Sequence, residues 1–153
     1  MLERVQFDGV EFAVILRSDF RASGVHFFTP SDYSQQLGYM HHPAGHRIEP
    51  HVHNTVTRAV HSTREALFVR RGRLRVDFYT DAGVYFESRE LGAGDVILLA
   101  AGGHGFEVLE EIEMVEVKQG PYAGDADKTR IRGITASQVR LAKPGNNVSK
   151  RVP

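Results

Sequence analysis

Residues 73–100 read RLRVDFYTDAGVYFESRELGAGDVILLA, and their pattern decides the fold class. On an extended chain, successive side chains point to opposite faces. Leu74, Val76 and Phe78 therefore share one face while Arg73, Arg75 and Asp77 share the other, the alternation of a half-buried antiparallel strand. Thr80-Asp81-Ala82-Gly83 is a hairpin turn whose glycine accepts positive φ, residues 84–91 return, and Gly92-Ala93-Gly94-Asp95 turns again. Residues 96–100, VILLA, are apolar without interruption and belong deep in the protein.

The same grammar extends outward on both sides. Residues 10–17 (VEFAVILR), 24–29 (GVHFFT), 37–42 (LGYMHH), 48–53 and 66–71 read as strands, each bounded by Gly, Pro, Asp or Ser. Residues 31–36 read as a short helical turn capped by Ser31. After Gly102-Gly103-His104-Gly105, residues 106–109 and 114–119 resume the extended pattern, and Gly120-Pro121 ends it. Frequent turn signals with little helical periodicity predict an all-β sandwich or barrel.

Composition narrows the possible functions. The 153 residues make one ordinary domain with room for a core but none for a second catalytic domain. Nineteen basic and nineteen acidic residues cancel, so no net field draws nucleic acid or an anionic membrane. Residues 123–153 hold seven Lys or Arg against two Asp, a basic extension expected to be solvated or to pack on a neighbouring subunit. The chain has no cysteine, so it has no disulfide, thiolate nucleophile or sulfur ligand. Its N-terminus is too charged for a secretory signal or a membrane span, and the expectation is a cytoplasmic protein.

Residues 45–72, GHRIEPHVHNTVTRAVHSTREALFVRRG, hold the candidate chemistry. On a strand, His51 and His53 sit on one face, and two imidazoles joined by a carboxylate and a third imidazole form a cage that zinc, iron, manganese, nickel or copper accepts. Gly45 precedes His51 by five residues, and Glu65 precedes Gly72 by six. Gly94, five residues, Ala100-Ala101-Gly102, one residue and His104 form a second spacing. In these spacings the chain resembles the single-domain cupins, jelly-roll barrels whose first motif is Gly, five residues, His-x-His, three or four residues, Glu, six residues, Gly. It departs from that motif in the eleven residues 54–64 between His53 and Glu65, read as an inserted loop at the barrel mouth. It departs from the second motif in Ala100 for Pro, one residue missing before His104, and Val108 for Asn. The likeness covers residues 40–120 of a barrel spanning 1–122, followed by a C-terminal extension over 123–153.

The resemblance implies that His51, His53, Glu65 and His104 bind one divalent metal inside the barrel, with His42 as a reserve ligand. It also implies a small polar or anionic substrate and pairing as a homodimer, for which the apolar VILR and FFT segments would serve. Glu116 and Lys118 share one face of residues 114–119 and would move protons or orient substrate if Val115 and Val117 face outward; His61, in the mouth loop, is a further proton carrier. The plainer alternatives are a surface carboxylate beside Arg64 for Glu65, a loop position for His104, and exposed or structural roles for His41, His42, His46 and His61. Three functions remain open: a metal-dependent enzyme, a metal-free nucleotide-sugar epimerase or isomerase with Arg58, Arg64, Arg70, Arg71, Arg73 and Arg75 gripping phosphate, and a non-catalytic ligand-binding barrel.

Overall fold

The computed structural model describes residues 1–143 and 145. It is all-β, as the alternation predicts, and its main sheet curls strongly into a half-barrel of jelly-roll character. The strands are β1 (Leu2–Phe7), β2 (Val10–Leu16), β3 (Gly24–Phe27), β4 (Gly38–His41), β5 (Glu65–Tyr79), β6 (Tyr85–Gly92), β7 (Val96–Leu99) and β8 (Gly103–Lys118). The main sheet runs β1-β2-β7-β5-β6 with β8 also on β5, and β3 and β4 form a separate hairpin. Among the described residues, no helix is long and apolar enough to cross a membrane.

The core follows the alternation. Leu74, Val76 and Phe78 are at most 1% exposed, packed with Leu67, Ile97 and Phe86. Burying each such side chain contributes about 1.5–3 kcal/mol, enough to hold register, because a one-residue slip would turn the whole set to water. The face opposite is solvated at Arg73 but not beyond it, where the half-buried reading fails. Arg75 and Asp77 are also buried, joined by two hydrogen bonds of 2.8 and 3.0 Å, and Asp77 accepts a third from Ser88 at 2.5 Å. A second buried network runs through Arg89, which bonds Glu87 and Glu3, and on through Arg17 to Asp95.

The structure corrects the element boundaries in five places. Residues 2–7 form β1, which the sequence reading missed; Asp8 and Gly9, both at positive φ, make the two-residue turn that folds it onto β2. The two strands expected on either side of Gly72 are one strand, β5, and the two expected after His104 are one strand, β8. Gly72 does not stop the chain: it stands at φ 84° amid three register shifts against β8, so it bends the strand as a bulge instead of breaking it. Residues 31–36 are turns without a helix, and residues 48–53, expected as a strand, belong to an irregular arm over 42–64. Pro43 and Pro50 lack the N–H a ladder needs, and among the described residues no strand pairs with the arm.

The described part of the C-terminal extension packs against its own chain. Leu141 makes a parallel bridge to Ser88 on β6, whose backbone takes a bond from Ala142 and gives one to Arg140, and the Arg140 N–H donates to the Tyr85 hydroxyl at 2.7 Å. The VILR segment is likewise used at home, as the buried β2 between β1 and β7, while Phe27 of the FFT segment stays exposed.

Candidate functional site

The centre of the site comes from the curl of the β5–β8 ladder. Residues directly opposite in a ladder share a face. Glu65 faces Lys118, Leu67 faces Glu116, Val69 faces Met114, Val76 faces Phe106 and Phe78 faces His104. All these pairs lie on the inner face, that of the Leu67, Val76 and Phe78 core. Because both strands bend through the bulges around Gly72, the two ends of the ladder meet: Glu65 Oε2 lies 3.1 Å from His104 Nε2. Both side chains are partly shielded, at 17% and 27% exposed.

The electrostatics favour an ionised carboxylate. The hydrogen bond from His104 holds the Glu65 pKa below its ordinary value against the opposing effect of burial, and the charges of His104, Lys118 and Lys128 push the same way. Lys118 Nζ stands 3.8 Å from Asp127 and 5.2 Å from the centre of the Tyr122 ring. The ring of Phe106 lies 5.2 Å from that of His104, an apolar neighbour on the same face. A carboxylate, an imidazole and an ammonium thus line one side of a curled sheet, a set able to hold an anionic ligand and shift protons on it.

The sequence-selected residues are only partly brought together. Glu65, His104 and Lys118 share the inner face, and Glu116 joins them there, exposed beside Leu67. His51 and His53 do not reach this group. Their rings stand edge to face 5.2 Å apart on the exposed arm, and His51 Nδ1 meets the Glu49 carbonyl at 2.9 Å. Among the described residues, no three His, Asp or Glu side chains gather in a way that would hold a metal ion. His61 is exposed in a shallow cleft with Thr63, Gln119 and Pro121, and His42 stacks on His46 at 4.0 Å with its buried Nε2 lacking a hydrogen-bond partner.

Four of the six clustered arginines have other work. Arg71 pairs with Glu111, Arg73 with Glu90 and Glu110, Arg75 with Asp77 and Glu107, and Arg64 lies over the Tyr33 ring. These glutamates stand across the ladder or on the adjoining strand, so the forks of Arg71, Arg73 and Arg75, read as phosphate grips, already meet carboxylates, while Arg58 and Arg70 are exposed. Sequence reasoning did not find the cleft of about 330 Å³ lined by Tyr79, Tyr85, Arg132, Thr135 and Gln138. Its walls come from β5, β6 and the extension, and no local motif links them.

Matching the chain against protein-family models, curated proteins and solved structures finds no counterpart in any of the three.

Proposed function

We propose that this chain is a small-ligand barrel of cupin type whose chemistry is centred on Glu65 and His104, acting on a small polar or anionic organic molecule. The observation that carries the reading is the 3.1 Å approach of these two side chains, 39 positions apart in sequence. That separation suits adjacent ligands of one cation, since two metal–ligand bonds of roughly 2.1 Å at about a right angle place the donor atoms roughly 3 Å apart. The donor set, imidazole and carboxylate without thiolate, fits a divalent metal, with His51 and His53 as the remaining ligands. In the described conformation only half of that set is together. A bound metal would supply Lewis acidity toward a substrate oxygen, or oxygen activation if it is iron. The chain's own part is to hold the ion with Glu65 and His104, to orient an anionic substrate by Lys118, and to exclude water on the Phe106 side.

A second reading rests on the same contact. A histidine held by a carboxylate is oriented for proton transfer, so a metal-free isomerase or epimerase would use His104 as acid or base and Glu65 to fix its ring. Elemental analysis of untagged protein, alongside His104→Ala and Glu65→Ala, separates the two. Stoichiometric metal in the native chain, lost in both variants while far-UV circular dichroism is unchanged, supports the metal centre. Native protein that neither contains nor takes up zinc, iron, manganese, nickel or copper rejects it in favour of the acid–base pair.

A further inference from the structure

The arm over residues 42–64 and the strand β8 are each incomplete in a complementary way. Extended, the arm has two unlike faces: Ile48, Val52, Val56 and Val60 alternate onto one, and His51, His53, Thr55 and Thr57 onto the other. Every residue from 43 to 63 is exposed, with Val52 at 87%. This is the pattern of a strand without a sheet. β8 is a strand with a vacant side, since it pairs with β5 along one edge and with nothing else among the described strands. Its faces match those of the arm. Val115 and Val117 point outward beside Phe68, all three exposed, while Glu116 and Lys118 point inward with Glu65.

Charge does not oppose the same pairing. Residues 48–60 hold Arg58, His51 and His53 against Glu49, and β8 keeps Glu113 and Glu116 beyond the three glutamates that already pair with Arg71, Arg73 and Arg75. Within a single copy the arm meets this strand only at its root, where the Gln119 N–H donates to the Arg64 carbonyl at 3.0 Å, and among the described residues, 48–60 pair with no strand.

We propose that two copies of this chain exchange arms. Residues 48–60 of each copy lie as an added strand along the free edge of β8 in the other. The partner's His51 and the partner's His53 then turn to the inner face that carries Glu65 and His104, and the arm's valines cover Phe68, Val115 and Val117. The exchange stands on the surfaces alone, whereas completion of the site in trans rests on the metal-centre reading. A long unpaired edge would otherwise recruit strands indiscriminately, and the exchanged arm satisfies it by β-addition.

The chain has no cysteine, so engineered thiols report unambiguously. The proposal expects the native protein to sediment as a dimer. It also expects oxidised Val56→Cys/Val115→Cys or Val56→Cys/Val117→Cys to give a covalent dimer whose linked peptides join the arm to β8. The Val52→Asp/Val56→Asp variant should sediment as a monomer with an unchanged far-UV spectrum. A link within one chain, a native monomer, a dimer in which neither cysteine pair links, or a charged-arm variant that stays dimeric would each overturn the exchange. Metal content measured on the same samples keeps the two readings apart. A cross-linked dimer without metal leaves the exchange standing and removes the metal centre, and metal held by a monomer does the reverse.

Discussion

Replacing Gly72 by alanine tests the bend on which the site depends. The residue stands at φ 84°, and an ideal Cβ there would lie 2.0 Å from the Glu111 carbonyl oxygen and 2.8 Å from its carbon. Both atoms are backbone of β8, so no side chain can swing aside to make room. A left-handed conformation costs an L-residue about 1–2 kcal/mol, and forcing an extra carbon into a packed site costs about 1–3 kcal/mol more. The expected loss is therefore about 2–5 kcal/mol, and at a urea m-value of about 2 kcal/mol/M the midpoint falls by roughly 1–2.5 M. Gly92 supplies the control, since it lies outside the positive-φ set and its added Cβ would meet nothing within 4 Å. Urea unfolding followed by far-UV circular dichroism should show Gly72→Ala strongly shifted and Gly92→Ala within about 0.5 kcal/mol of the native protein. A Gly72→Ala midpoint indistinguishable from that of Gly92→Ala would refute the bulge as the device that curls β5 against β8.

Further tests reach the core, the buried charges and the site. Phe78→Ala, removing a ring 1% exposed, should cost about 3–5 kcal/mol in the same assay. Arg89→Ala leaves Glu3 and Glu87 buried without that partner and should cost about 3–5 kcal/mol, whereas Arg89→Met with Glu3→Gln and Glu87→Gln should recover much of it. Glu65 has its folded-state pKa lowered, so the unfolded chain binds the proton first. Its contribution is complete above the ordinary value of 4.5 and is lost as pH falls through the lowered one. The stability gap between native protein and Glu65→Gln should accordingly be wider at about pH 6 than at about pH 3, and a gap independent of pH would dismiss the His104 contact as its source. Tyr85→Phe removes the acceptor for the Arg140 N–H and should speed limited proteolysis after Arg140 relative to cleavage elsewhere.

The parts of the fold legible in the sequence were those written in local alternation. Leu74, Val76 and Phe78 declare their face within six residues, and 96–99 declare burial by having no polar member. What stayed hidden depended on distant partners. Arg75 and Asp77 look like a wet face until Ser88 and the returning extension lie near them. Gly72 looks like a stop until β8 is seen to run past it. Residues 2–7, with Glu3 and Arg4 among them, do not read as buried strand because the groups that neutralise Glu3 are Arg17 and Arg89, far along the chain. At the site, spacing picked out Glu65 and His104, which the curl brings together. The same rule carried His51 and His53 no further than each other, because two residues apart on an arm fixes only their mutual position.

The bridge between Leu141 and Ser88 has a bearing on how cleanly this protein can be handled. By lying along β6, the last turns of the described chain act as a stopper on one rim of the sheet, silencing backbone groups that would otherwise invite a foreign strand. Cutting the chain back to residue 139 would uncork that rim, and the shortened protein should form fibrillar or gelled material at concentrations where the full chain stays clear.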